Sequence, residues 1–242
     1  MNQPDIPAPT PSPATCHIKP DPMALLPMEP GTGNVIAALL KTPGAILHEL
    51  TGGGRPRLVV GSLIGITLMG LAVFGGITAS ISASQWWHPV VKISAGTLFA
   101  AVICLPSLYI FAALSGIILP LRAVAGLLFS VTGLSALILT GFTPLIWVLG
   151  TSTASVIVPG ALLLLVWLIA VFFGTGLLIR CGRALGMTHR LHLMLWSGMF
   201  LLVTLQVSCA LRPILGAGKS FMPQEKKFFL EHWAEQIRFA GD

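Results

Sequence analysis

The sequence predicts an all-α fold, a polytopic transmembrane helix bundle of about five spans with short peripheral amphipathic helices. Two observations predict it. Charged residues make up only 9% of the chain and hydrophobic residues 55%, whereas a soluble domain carries about 25% charged residues. Five apolar segments, joined by short connections, are each long enough to cross a hydrocarbon layer of about 30 Å. The polar side chains are too few to cover a water-exposed surface, which excludes an ordinary soluble enzyme.

The chain before the first span divides into two parts. Residues 1–33 contain nine prolines and show no apolar periodicity, so we predict a disordered Pro-rich tail. Residues 34–57 place apolar side chains at helical spacing, with polar residues between them and a break at Pro43. This pattern, directly before a span, predicts an interfacial amphipathic segment on the cytoplasmic leaflet.

A five-helix transmembrane domain is predicted over residues 58–211. We expect its spans at about Leu58 to Ala83, Val90 to Leu119, Ala123 to Leu149, Ser155 to Ile179, and Leu191 to Leu211. With a cytoplasmic N-terminus, seven basic residues fall on the inside and only Lys92 lies in an outside loop. The charge distribution therefore predicts that the N-terminus is cytoplasmic and the C-terminus is outside.

The C-terminal tail, residues 212–242, is predicted to contain an amphipathic aromatic helix. Four large apolar side chains on this helix are candidates for partner binding: Phe228, Phe229, Trp233 and Ile237. Burying one such side chain contributes about 1.5 to 3 kcal/mol, so a face of several is expected to be covered. The cover is a protein partner, the lipid interface or the protein's own bundle.

Three residues inside the spans are candidates for helix packing. Gly61 and Gly65 form a G-x-x-x-G motif in span one, and small residues let helices approach closely. The motif fits packing within the bundle and also fits a homodimer. Pro106 removes a backbone hydrogen bond inside span two. It fits a static kink around which neighbours pack, or a break that builds a transporter's substrate site.

No group of residues identifies a catalytic, cofactor or metal site. No acidic residue lies between Leu50 and Gln224, which argues against proton-coupled transport because such transport commonly uses intramembrane carboxylates. His189 and His192 have a spacing that zinc could use, but no carboxylate or second cysteine completes the set. The basic residues lie at loop edges, which does not favour nucleic-acid binding. We therefore expect no enzyme activity, no cofactor and no metal.

Two short stretches and the number of spans connect the chain to a known family. The stretches are Lys41-Thr42-Pro43-Gly44 before the first span and Leu105-Pro106-Ser107-Leu108-Tyr109 in the second. On these features, residues 34 to about 211 resemble the Yip-type family of five-span membrane proteins, including its bacterial relatives. The resemblance implies a non-enzymatic membrane adaptor, and we expect a protein of the bacterial inner membrane.

The expected function is a non-enzymatic integral membrane scaffold or assembly subunit that recruits partners through its tails. Its partners would be the lipid bilayer and a protein or larger membrane complex, and a homo-oligomer is compatible with the sequence. The alternative is a membrane-embedded subunit of a transporter or permease complex, whose proline breaks would line a polar path. A membrane enzyme ranks last, because the loop at 180–192 lacks a nucleophile, a base and a carboxylate in one place.

Overall fold

The structure, a computed structural model, describes residues 31–52, 55–81, 87–152 and 157–210. Every element within these ranges is a helix, which confirms the all-α fold. In chain order the helices are α1 (Thr32–Lys41), α2 (Pro43–Thr51), α3 (Pro56–Ile81), α4 (Trp87–Leu114), α5 (Leu121–Ser152), α6 (Ile157–Ala184) and α7 (Arg190–Ala210).

Helices α3 to α7 are each long and apolar enough to cross a membrane, so the predicted five spans are confirmed. Their apolar segments are Pro56–Ser80, Pro89–Leu114, Leu121–Ser152, Gly160–Ala184 and Arg190–Val207. The protein is therefore an integral membrane protein. Helix α5 is the most buried of the five, and it packs against α3, α4 and α6.

The ends of α4 and α6 are set by glycines. Gly116 adopts φ +87° after α4, and the Ile117 N–H donates to the Ala112 carbonyl at 3.0 Å. This hydrogen bond belongs to a Schellman motif, in which a left-handed residue closes the helix. Gly186 ends α6 in the same way with φ +81°. Helix α4 therefore stops short of Leu119, the predicted end of span two.

Small residues bring the neighbours of α5 close to it. A Cβ atom added at Gly70 of α3 would lie 3.2 Å from Thr140 Oγ1, and that hydroxyl donates to the Gly70 carbonyl at 3.2 Å. A Cβ atom added at Gly174 of α6 would lie 2.5 Å from Ser135 Oγ, which donates to the Ala170 carbonyl at 2.9 Å. Close approach and an interhelical hydrogen bond thus occur together at both contacts.

Helix α2 is buried in the bundle, which differs from the interfacial position predicted over residues 34–57, whereas α1 is amphipathic, with six of its ten residues exposed. Helix α2 packs against α3, α5 and α6, and α1 packs against α3 and α5. Seven of the nine residues of α2 are buried. The periodicity of residues 34–57 reveals an apolar face but does not reveal whether lipid or protein covers it. In α2 protein covers it, as is usual for a helix with apolar residues on most sides.

Candidate functional site at the basic end of the bundle

One end of the bundle collects the positive charge, and we call it the basic end. Helices α3, α5 and α7 begin there, and α4 and α6 end there. It carries the six arginines of the described ranges, all of them exposed: Arg55, Arg57, Arg122, Arg180, Arg183 and Arg190. Glu49 is the only acidic residue in those ranges. The described part of this end therefore has a large excess of positive charge.

Two glycines of α5, Gly126 and Gly133, contact α2 and α1, respectively. A Cβ atom added at Gly126 would lie 2.8 Å from Leu50 Cδ1 and 3.1 Å from Leu50 Cγ. One added at Gly133 would lie 3.6 Å from Leu39 Cδ2. At about 1.5 Å of rise per residue, the two glycines lie about 8 and about 18 Å along α5 from its start. Leu50 of α2 therefore contacts α5 nearer its start than Leu39 of α1 does.

Helix α2 carries a buried carboxylate beside an imidazole. Glu49 is 8% exposed, and its Oε1 lies 3.9 Å from His48 Nδ1. That distance is too long for a hydrogen bond, and within the described ranges His48 Nδ1 has no hydrogen-bond partner. From sequence, Glu49 counts only as a residue before the spans. The flanking apolar residues Leu47 and Leu50 were the signal that it lies on a buried helix.

Two loops at the basic end are hydrogen-bonded to each other. The Ser115 carbonyl after α4 accepts the Thr188 N–H at 3.0 Å and the Thr188 hydroxyl at 3.1 Å. Gly116 permits this contact, because a Cβ atom there would lie 2.7 Å from Thr188 Oγ1. The His189 and His192 rings stack edge to face next to it, with centroids 5.8 Å apart. Within the described ranges, no three His, Cys, Asp or Glu side chains are grouped to hold a metal ion.

A cleft of about 370 Å³ opens at the basic end between the starts of α3 and α5. It is lined by Arg55, Pro56, Arg57, Leu58 and Arg122. The first N–H groups of each helix have no partner within the helix and carry partial positive charge. Three guanidinium groups and the starts of two long helices thus meet around one cleft. From the sequence these arginines indicate membrane orientation only, because Arg122 is far from Arg57 in the chain.

Pro106 lies on the exposed surface of α4, and the helix continues through it. The contact with a neighbouring helix is made by the next residue. Ser107 Oγ accepts a hydrogen bond from Trp196 Nε1 at 3.1 Å and donates to the Cys104 carbonyl at 2.8 Å. Trp196 is fully buried and stacks on Phe200 with ring centroids 5.2 Å apart. The polar serine, rather than the proline, therefore ties α4 to α7.

Gly61 and Gly65 face outward from α3. Both are exposed, and within the described chain no atom of another helix lies within 4 Å of a Cβ atom added at either. Among the described residues, no helix of the bundle therefore packs against these two glycines. Gly75, further along α3, makes a close approach instead, since its Cβ would lie 2.7 Å from Val90 Cα. The homodimer interpretation of the motif stays a prediction.

The four residues of the predicted partner-binding face lie outside the described residues. These are Phe228, Phe229, Trp233 and Ile237. Their role therefore stays a prediction from the sequence.

Comparisons with known proteins returned no match. No family model, no curated protein and no solved structure matches this chain. The resemblance to the Yip-type family therefore stays a prediction.

Proposed function

We propose that this protein is a non-enzymatic integral membrane scaffold or assembly subunit that recruits partner proteins through its tails. The observation that carries the proposal is the filled interior at the basic end, where α2 is buried between α3, α5 and α6 and the apolar face of α1 packs against α3 and α5. The side chains of α1 and α2 join one apolar core with those helices, and Leu39, Leu47, Leu63 and Leu128 are each at most 2% exposed. A close-packed interior of this kind favours a fixed platform over an aqueous route.

Three buried hydroxyl groups support the same proposal. The hydroxyls of Thr67, Ser130 and Thr143 donate to the carbonyl four residues earlier in their own helix, at 2.8, 2.8 and 3.1 Å. Such bonds satisfy the hydroxyl within its helix. These groups therefore stabilise helices and are not directed toward a solute.

The proposed setting is the bacterial inner membrane, with the N-terminus in the cytoplasm and the C-terminus outside. The six exposed arginines at the basic end support a cytoplasmic location for that end. The proposed partner is a protein or a larger membrane complex, bound by the aromatic face of the C-terminal tail. An adaptor role of this kind agrees with the proposed membership of the Yip-type family.

A copurification experiment on the full chain tests the scaffold. The variant Phe229→Ser with Trp233→Ser should insert into the membrane normally, because five long spans remain, but it should lose the protein that copurifies with the parent. The matched control, Glu231→Gln with Glu235→Gln, changes the charged side of the same predicted helix and should keep that protein. Unchanged copurification in the aromatic variant would overturn the proposed role of the tail.

A transport subunit is the second candidate, and the helix break inside the bundle favours it. Thr42 leaves helical geometry between α1 and α2, with φ −136° and ψ 64°. Glu49 is buried in the same pair, and broken helices with internal ends build substrate sites in secondary transporters. In liposomes with a pH-sensitive dye, the scaffold proposal predicts that an imposed proton gradient stays unchanged. Proton movement that depends on a substrate and disappears in Glu49→Gln would favour transport.

A further inference from the structure

The arginines of the cleft between α3 and α5 have no counter-charge among the described residues. Within those ranges the ion pair found joins Glu49 to His48, and it leaves Arg55, Arg57 and Arg122 without a carboxylate. All three arginines are exposed and line the same cleft of about 370 Å³. Positive charges that line one cleft repel each other, and a bound anion lowers that repulsion.

A phosphate group fits the chemistry of this cleft. Guanidinium groups bind phosphate oxygens through two parallel hydrogen bonds, and a helix start adds backbone N–H donors. Here α3 begins at Pro56, which has no N–H, so its first donor is the Arg57 N–H, and α5 begins at Leu121, next to the lining residue Arg122. The cleft volume is large enough for a phosphate with its substituents, and its lining includes the apolar side chain of Leu58, which is 66% exposed.

The outward face of α3 continues from this cleft toward the bilayer. At about 100° per residue, Arg57, Leu58, Gly61 and Gly65 fall within an arc of about 100° on the helix. No other helix of the described chain covers the two glycines, so the surface between Leu58 and the next turns is a shallow apolar track. Gly65 lies about 12 Å along the axis from Arg57, in the direction that an acyl chain would take.

We propose that this cleft binds an anionic phospholipid. Its phosphate lies against Arg55, Arg57 and Arg122, and one acyl chain follows the face of α3 at Gly61 and Gly65. A lipid is favoured over a soluble phosphate compound because the charged cleft and the apolar track belong to one continuous surface at the start of a span. The proposal does not depend on the scaffold function.

Native mass spectrometry of the purified full-length protein tests the headgroup contact. Titration with phosphatidylglycerol should show tighter binding than titration with phosphatidylcholine. The variant Arg57→Gln with Arg122→Gln should weaken phosphatidylglycerol binding about fivefold to tenfold per arginine. The matched control Arg183→Gln with Arg190→Gln removes the same charge at the same end, away from the cleft, and should bind like the parent.

Three results would overturn the headgroup proposal. Equal weakening by both double variants would mean that the basic end attracts anions without a site. Binding that does not change in the cleft variant would exclude these arginines. Displacement of phosphatidylglycerol by millimolar glycerol 3-phosphate would assign the cleft to a soluble phosphate compound. If the cleft variant loses its helical circular dichroism, Arg57→Lys with Arg122→Lys replaces it, and partial weakening is the supporting result.

The acyl track has its own test. The variant Gly65→Leu fills the track and leaves every arginine in place. It should lower the fraction of protein that keeps bound phosphatidylglycerol in the native mass spectrum. Gly141→Leu, which also adds a side chain to an open position on a span, should not. A parent protein that is dimeric with or without lipid, and becomes monomeric in Gly65→Leu, would show that a second copy covers the track and would overturn its assignment to an acyl chain.

Discussion

Replacement of Gly126 by alanine tests whether α2 is seated on α5. The added methyl group would occupy space that the side chain of Leu50 now fills, with Cδ1 2.8 Å and Cγ 3.1 Å from the new Cβ. The end of a leucine side chain can rotate, but Leu50 is only 2% exposed and lies in the main apolar core. A rotation there displaces its neighbours, so we expect α2 to shift or the core to be strained.

The expected cost follows from the chemistry of overpacking. Inserting a methyl group into a well-packed core typically costs about 1 to 3 kcal/mol. An alanine in place of a helical glycine regains about 0.5 to 1 kcal/mol of chain entropy. The net effect of Gly126→Ala is therefore a loss of about 0 to 2.5 kcal/mol in the free energy of unfolding. Gly141→Ala in the same helix meets open space and should be neutral or slightly stabilising.

Detergent unfolding followed by far-UV circular dichroism measures both variants. The sharper test is a double-mutant cycle. Leu50→Ala alone should cost about 2 to 5 kcal/mol, because it leaves a cavity. The double variant with Gly126→Ala should lose about 1 kcal/mol less free energy of unfolding than the sum of the two single variants, because the new methyl group partly fills that cavity. If Gly126→Ala behaves like Gly141→Ala and the cycle is additive, α2 does not rest on this glycine.

Three further outcomes are expected. Gly75→Ala should lower the free energy of unfolding by up to about 2.5 kcal/mol, because the new Cβ would lie 2.7 Å from the backbone of Val90, while Gly76→Ala next to it meets open space and serves as the control. Ser107→Ala should cost about 1 to 3 kcal/mol in the same assay, because the buried Trp196 Nε1 loses its acceptor. Reporter fusions placed before α3 and after α7 should report from opposite sides of the membrane, and a shared side would exclude an odd number of spans.

The sequence was sufficient for the spans because their signal is long and redundant. Each span segment has at least 18 apolar-rich residues, so the exchange of a few residues would not hide it. The end of α4 depends on one residue, Gly116. The predicted end of span two, Leu119, therefore lies beyond the observed end of the helix, Leu114. Whether a glycine in a span faces another helix or the surroundings depends on how the helices pack together. Gly61 and Gly65 matched the packing motif and face outward, whereas Gly126 matched no motif and holds α2.

The basic-end site was less predictable because its parts are far apart in the chain. Arg57 and Arg122 line one cleft although 65 positions separate them. The burial of α2 required knowledge that α3, α5 and α6 leave room for it. The sequence did contain one clue, since apolar residues surround Glu49 on a short helix that has few polar positions. A purely interfacial helix would carry a broader charged face.

The position of α1 and α2 has a consequence for the order in which the protein is made. These helices leave the ribosome before α3 to α7, but α1 packs against α5, which ends at Ser152, and α2 packs against both α5 and α6, which ends at Ala184. Their docking is therefore a late step of biogenesis, and the pair waits undocked while later spans insert. In the variant Leu47→Cys, made without the native cysteines, a water-soluble maleimide should label chains halted after α4 and spare the finished protein. Equal labelling would mean that the pair does not wait for α5 and α6.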